Sequence, residues 1–219
     1  MFKRYVIKVL LLLMLVSTVS AYENLSTTEN EHARTWKSFA DKVYKLHDRQ
    51  LAGRSIRTTS TPGGYMNHPD SYVEKSYFDE ATGLLLSRIK WLTEQPDSVH
   101  VIEVFVYDEQ HRLQRDYTVA YVAAFYRHIE SGMDIPNQAL VNLYNHNGGL
   151  KAFRSFDASG TFVYEACLGE YEGRPVDISL DDEEGYDSGA NSSSFLNSKE
   201  YQACFDGMPA KAGVYLNPH

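Results

Sequence analysis

The fold is decided by the stretch VHVIEVFVYDEQHRLQRDYTVAYVA, residues 99–123. Two segments of it, Val99 to Tyr107 and Leu113 to Ala123, are rich in the β-branched and aromatic residues that favour strands. The polar segment between them, Asp108 to Arg112, begins with an Asp, whose side chain bonds the nearby backbone and so opens a turn. The stretch therefore predicts two antiparallel strands joined by a short connection, which is a β-hairpin.

The same combination of strand and polar turn recurs along the chain. An aromatic residue followed by Asp or Asn ends a predicted strand at Phe78-Asp79, Tyr107-Asp108, Tyr144-Asn145 and Phe156-Asp157. The other predicted strands are Tyr72 to Phe78, Leu84 to Leu92, Leu140 to Tyr144, Leu150 to Phe156, Phe162 to Leu168 and Arg174 to Leu180. We therefore expect an α+β fold, mainly β, built on an antiparallel meander of about eight strands. Residues 107–113 also resemble the Tyr-Asp hairpin repeats of large bacterial surface proteins, and the resemblance is confined to them.

One helix is predicted, over residues 29–51. Its apolar residues, among them Trp36, Phe39 and Val43, recur at spacings of three and four and form one stripe. Asn30 is a suitable N-cap, and Gly53 ends the helix. We expect the stripe to pack on the sheet. Residues 54–70, rich in Thr, Pro and Gly, are predicted to form a loop.

The first 21 residues have the composition of a secretory signal peptide. Three basic residues precede an apolar run from Val9 to Val16, and small residues close the segment at Ala21. A transmembrane anchor is the alternative, but spanning a bilayer takes about 20 apolar residues. We expect cleavage before Tyr22, a single β-rich domain over residues 22–180, and no membrane-spanning segment after cleavage. The protein is then periplasmic or secreted.

The charge and the cysteines restrict the partners and the compartment. The formal net charge is −8, which disfavours nucleic acid and anionic membrane surfaces, because both require clustered Lys and Arg. An unknown protein or small ligand remains as the partner. Cys167 and Cys204 are predicted to form a disulfide, as expected in an oxidising compartment, and two buried free thiols are the alternative. This bond would tether residues 181–219, an acidic tail rich in Ser, Asn and Gly.

His100 and Glu103 are polar residues inside an otherwise apolar strand. Because side chains alternate along a strand, residues three apart are expected on opposite faces. Glu103 is expected to be buried or paired with a cross-strand Arg, for which Arg88, Arg115 and Arg154 are the candidates. A structural ion pair is the default interpretation, and an active-site carboxylate is the alternative.

Two histidines lie in predicted loops, His68 in the Asn67-His68-Pro69 segment and His146 in the turn after Tyr144. Loop histidines can bind a partner or act as catalytic bases. Neither has a second His at metal-ligand spacing. Ordinary surface or capping roles are the alternative. The weak candidates for a catalytic set are therefore Glu103, His100 and His146.

The densest run of acidic residues begins at Asp181 and is a candidate Ca²⁺ site, since Ca²⁺ prefers oxygen ligands. The candidate ligands are Asp181, Asp182, Glu184 and Asp187. The alternate spacing of a calcium loop is missing, and a solvated loop is the alternative interpretation. No other cofactor is indicated.

The chain has no Gly-x-Ser-x-Gly nucleophile motif and no Lys-containing phosphate loop. Its 16 tyrosines suit the strands of an antiparallel sheet, and half-exposed ones can hold sugars, peptides or a partner protein. The sequence therefore predicts an exported, non-enzymatic accessory or binding protein whose ligand is unknown. A secreted hydrolase, with a site built from loop His and a buried Glu, and a calcium-dependent module are the alternatives.

Overall fold

The computed structural model describes residues 31–65, 68–121, 135–181 and 195–219. The chain separates into two compact units, 1–35 and 36–219. Of the first unit, the described residues are 31–35, which are helical. The predicted signal peptide and the predicted N-cap, Asn30, lie outside the described residues. In the described ranges, no helix is both long and apolar enough to cross a membrane.

Helix α1 spans residues 31–51, and a sheet of nine described strands follows it. The strands are β1 (Ile56–Tyr65), β2 (His68–Asp79), β3 (Leu85–Leu92), β4 (Gln95–Tyr107), β5 (Leu113–Ala120), β6 (Gln138–Asn147), β7 (Leu150–Asp157), β8 (Phe162–Tyr171) and β9 (Arg174–Asp181). Each strand pairs antiparallel with the next, in chain order. A short helix, α2 (Lys199–Phe205), and a 3-10 helix, Gly213–Leu216, complete the chain. The predicted mainly β meander with an N-terminal helix is confirmed.

The loop predicted over residues 54–70 is wrong, because residues 56–65 form β1 and pair with β2. Seven of the ten residues of β1 are exposed, and the strand lacks the alternation of apolar and polar residues that reveals a half-buried strand. Pro62 has no backbone N–H to donate and is tolerated at an edge strand such as β1. Residues 122–123, predicted as the end of a strand, lie outside the described residues, and β5 ends at Ala120.

Residues of α1 from Trp36 onward pack on one face of the sheet. Phe39, Val43 and Leu46 are buried against a cluster of strand residues that includes Ile102 and Val119. The indole N–H of Trp36 donates to Ser159 Oγ at 3.2 Å. The predicted apolar stripe is therefore the contact surface of the helix.

Helix α2 covers a second apolar cluster on the same face, over strands β7 to β9. Cys204 of α2 is bonded to Cys167 of β8, with the two Cα atoms 6.0 Å apart, and both residues are fully buried. The predicted disulfide is confirmed. Phe205 and Ala212 are also buried, so residues 195–219 are a folded part of the protein rather than only a tethered tail.

Candidate functional site

The two faces of the sheet differ in what covers them. Helix α1 from Trp36, helix α2 and the C-terminal residues pack on the face that carries Ile102 and Cys167. The other face presents cross-strand rows of polar and aromatic residues, and in the described part of the chain no helix lies on it. We call it the open face and define it by Arg88, Glu103, Phe105, Asp116, Asn142, Tyr144, Phe153, Ser155 and Tyr164.

Glu103, predicted to be buried or paired, forms an ion pair on the open face. Arg88 is its direct cross-strand partner, and Arg88 Nη2 lies 3.0 Å from Glu103 Oε1. The guanidinium carbon of Arg88 also lies 5.4 Å from the centre of the Phe105 ring. Both charged side chains keep some exposure, at 35% and 20%, so water screens the pair and its contribution to stability is small.

Asp116 is the buried acid of the open face, and the sequence did not single it out. It accepts hydrogen bonds from Asn142 Nδ2 at 2.9 Å and from the Tyr144 hydroxyl at 2.7 Å. Burial raises the pKa of the Asp116 carboxyl, these hydrogen bonds oppose the shift, and the charge of Glu103 adds to it. The signal available in the sequence was an Asp in mid-strand between Arg115 and Tyr117.

Three aromatic rings on β6, β7 and β8 form a row, which we call the aromatic ladder: Tyr144, Phe153 and Tyr164. The ring centres of Tyr144 and Phe153 are 5.9 Å apart, and those of Phe153 and Tyr164 are 5.4 Å apart. All three side chains are partly exposed. The ladder is a row of three aromatic rings on the open face, and such rings can hold a ligand against their flat surfaces.

Hydrogen bonds fix the two ends of the ladder. The Tyr144 hydroxyl is bonded to Asp116. Burial first, and then the Asp116 charge, raise the pKa of Tyr144 well above 10.0, so the hydroxyl stays protonated and acts as a donor. The Tyr164 hydroxyl lies 2.5 Å from Ser179 Oγ. Both terminal rings are therefore oriented before any ligand arrives.

His100 occupies a bulge near one end of the sheet. Lys90 pairs with Val101 while Trp91 pairs with Val99, which leaves His100 as an extra residue in β4. Because a bulge interrupts strict alternation, the prediction that His100 and Glu103 point to opposite faces loses its basis. The His100 ring lies 6.5 Å from the Tyr72 ring, and the ammonium group of Lys90 lies over the Tyr72 ring. Val101, the cross-strand partner of Lys90 on β4, lies on the same face as Glu103.

The hydrogen bonds of His100 define its tautomer. Nδ1 lies 2.9 Å from the carbonyl oxygen of Tyr121 and donates to it, so Nε2 accepts from the Tyr65 hydroxyl at 2.5 Å. Burial lowers the pKa of His100. The ring is thus a neutral structural group that ties the end of β1 to β4.

The structure keeps two of the candidate catalytic residues, His100 and His146, apart. His146 Nε2 bonds the carbonyl oxygen of Leu113 at the start of β5, whereas His100 bonds that of Tyr121 beyond its end. Eight residues of strand separate these carbonyls, which is roughly 26 Å at about 3.3 Å per residue. His68 is the exposed first residue of β2 and pairs with Tyr65. A set that contains both His100 and His146 therefore has no common centre.

A buried ion pair lies on the covered face under α2. Arg154 Nη2 is 2.6 Å from Glu165 Oε2, and the Tyr201 hydroxyl donates to the same carboxylate at 2.6 Å. Burial and the neighbouring Glu165 raise the pKa of Tyr201 to about 12. Arg154, one predicted partner of Glu103, is thus committed to Glu165 and holds α2 on the sheet.

No described group of three His, Cys, Asp or Glu residues is arranged to hold a metal ion. The candidate calcium ligands Asp182, Glu184 and Asp187 lie outside the described residues. The backbone of Asp181 is described, and Asp181 is the last residue of β9.

Comparisons with known proteins assign no family to the chain. No family model matches it, and no curated protein is similar to it. A solved structure of a DUF3836 family protein from Parabacteroides distasonis is 10% identical, with a TM-score of 0.22, and the match covers 65% of this chain and 98% of that one. A likeness at this TM-score establishes neither a shared fold nor a shared function.

Proposed function

We propose that this chain is an exported, non-enzymatic binding protein that holds its ligand on the open face of the sheet. The observation that carries the proposal is the aromatic ladder, whose rings are partly exposed and whose ends are fixed by hydrogen bonds. An oriented aromatic surface binds with a smaller loss of side-chain entropy than a mobile one. The two covered clusters already bury the apolar residues that the fold needs, so the ladder is not required as core.

Export is supported by the disulfide and by the signal-like N-terminal segment. Disulfides persist in oxidising compartments and are rare in the cytosol. Cell fractionation of the full-length protein tests this part: the proposal expects a shortened chain, with Cys167 and Cys204 oxidised, outside the cytoplasm. A full-length chain with free thiols in the cytoplasm contradicts it.

The binding role is tested with the immobilised protein lacking residues 1–21, exposed to an envelope fraction of its own host. Phe153→Ala removes the central ring of the ladder and should abolish retention of whatever the unchanged protein retains. Leu168→Ala is the matched control, because Leu168 is an exposed apolar residue of β8 on the same face and pairs with Lys151, which is not a ladder residue. Equal retention by the two variants, or no retention by the unchanged protein, counts against the proposal.

A hydrolase is the second candidate, and one observation favours it. Glu103 and Asp116 are diagonal neighbours across the β4–β5 pairing on the open face, and the charge of Glu103 raises the pKa of Asp116. Such pairs can divide the roles of acid and base. Glu103→Gln and Asp116→Asn should then each abolish the release of products from a bound ligand without abolishing its binding. Unchanged ligand after long incubation with the unchanged protein removes this candidate.

A further inference from the structure

We propose that the ligand of the aromatic ladder is a neutral oligosaccharide, an inference that rests on the binding role proposed above. Sugar rings present C–H groups on their flat faces, and these are attracted to the negative face of an aromatic ring. The ladder places three partly exposed rings in a row across β6, β7 and β8. It is therefore matched to several consecutive sugar rings rather than to one.

The rotation from ring to ring indicates a chain of small rings. The planes of Tyr144 and Phe153 differ by 33°, and those of Phe153 and Tyr164 by 45°. The ladder lies across three strands, and neighbouring strands of a sheet are rotated relative to each other. One large flat ligand cannot lie on all three rings, whereas sugars joined by rotatable linkages can each follow a different ring.

Polar groups beside the ladder suit the hydroxyl groups of a sugar. Asn142, Ser155 and Tyr164 form one cross-strand row on the open face. Ser155 Oγ is buried and has no hydrogen-bond partner among the described residues. A buried hydroxyl without a partner is rare and destabilising. Because hydrogen bonds fix Tyr144 and Tyr164 but not Phe153, we assign it to a ligand hydroxyl that reaches Ser155 when Phe153 shifts.

The position of the ladder disfavours a peptide in an extended conformation. Peptides that add to sheets pair with an edge strand, through free backbone groups. Strands β6, β7 and β8 are paired on both sides, so their backbone groups are already used. The net charge of −8 also disfavours a polyanionic ligand. A neutral sugar needs neither a free edge nor a cationic surface.

In the test, the purified protein is titrated with neutral oligosaccharides and binding is measured by calorimetry. The probes are linear oligomers of glucose in α and β linkage, xylose, mannose and N-acetylglucosamine, each long enough to cover the ladder. We expect at least one oligosaccharide to bind, and we expect Phe153→Ala to weaken its affinity by about tenfold or more. Phe153→Leu keeps an apolar side chain but no flat ring, and is expected to weaken it similarly. Leu168→Ala should bind as the unchanged protein does.

Two further variants separate the parts of the site. Tyr144→Phe keeps the ring and removes its bond to Asp116, so it should weaken binding less than Phe153→Ala does. Ser155→Ala should weaken binding while leaving the thermal midpoint equal or higher, because it removes an unpaired buried hydroxyl. A thermal midpoint close to that of the unchanged protein shows that each variant is folded.

The outcomes distinguish the two proposals. If no sugar binds, but a peptide or protein binds and is lost in Phe153→Ala, the oligosaccharide inference is overturned and the binding role remains. If a sugar binds equally well to Phe153→Ala and Phe153→Leu as to the unchanged protein, the ladder is not its site and the inference is overturned. If nothing that binds is sensitive to the ladder, both proposals fail.

Discussion

The hydroxyl of Tyr144 donates to the carboxylate of Asp116, and this bond joins the buried acid of the open face to the first ring of the aromatic ladder. The bond orients the ring, and burial of the acid makes its ionised form unfavourable. The pH dependence of stability therefore reports on the acid that orients the ladder.

Asp116→Asn should reduce the dependence of stability on pH. The folded pKa of Asp116 is raised above 3.8, so the folded state binds a proton more readily than the unfolded chain does. The contribution of Asp116 to the free energy of unfolding therefore rises as the pH falls through the folded pKa towards 3.8. In urea denaturation between about pH 7 and about pH 4, the free energy of unfolding of the unchanged protein should rise relative to that of the variant as the pH falls. The same slope in both proteins contradicts the burial of an ionisable Asp116.

His47→Asn should remove a dependence of stability on pH that has the opposite sign. His47 Nδ1 lies 2.8 Å from Ser87 Oγ, and burial lowers the folded pKa of His47 below 6.5. The stability that the neutral ring contributes is present above 6.5 and is lost as the pH falls through the folded pKa. The variant cannot titrate, so its loss of stability below about pH 6.5 should be smaller. His111→Asn is the control, because His111 is exposed in a turn, at φ 61°, a conformation that Asn tolerates.

Cys167→Ala combined with Cys204→Ala should destabilise the protein by about 4 kcal/mol in the chain-entropy treatment of a loop of this length. The bond closes a loop over a sequence separation of 37 and fixes α2 over its apolar cluster. Urea denaturation of the variant, and of the unchanged protein with and without a reductant, measures the loss. A reductant should have no effect on the variant. An unchanged midpoint in the reduced protein would show that α2 is held by packing alone.

Gly169→Ala should be strongly destabilising. Gly169 has φ 145°, and an added Cβ would lie 2.1 Å from the carbonyl oxygen of Gly149 on the neighbouring hairpin. Backbone cannot move aside as a flexible side chain can, so the end of the β7–β8 pairing must open. Gly173→Ala is the matched control: its φ is 76° with open space around it, so it should lose only about 1–2 kcal/mol. Thermal denaturation that gives equal losses for the two variants contradicts the close approach.

Most strands of the meander could be predicted, because four of the polar turns follow an aromatic residue at the end of an apolar segment. β1 could not be predicted, because most of its residues are exposed to water and do not alternate between apolar and polar. The disulfide was predictable from the presence of two cysteines in a chain with an export-like N-terminal segment, and the Arg88 to Glu103 pair from the isolation of Glu103 among apolar residues.

The candidate site was less predictable, because it depends on register rather than on composition. Tyr144 and Tyr164 are two of many tyrosines, and only the pairing of β6, β7 and β8 places Phe153 between them. Likewise, the residues around His100 do not predict the bulge that interrupts the alternation of side chains along β4. These features arise from contacts between strands, which a single sequence does not record.

The most direct test of the open face as the binding surface is photo-crosslinking in the host. A photoreactive phenylalanine analogue replaces Phe153 in the ladder or, as the control, the exposed Val214 of the C-terminal 3-10 helix on the covered face. We predict that illumination joins a ligand to the protein at position 153 and not at position 214. An adduct that forms equally from both positions, or from position 214 alone, would contradict the assignment of binding to the open face.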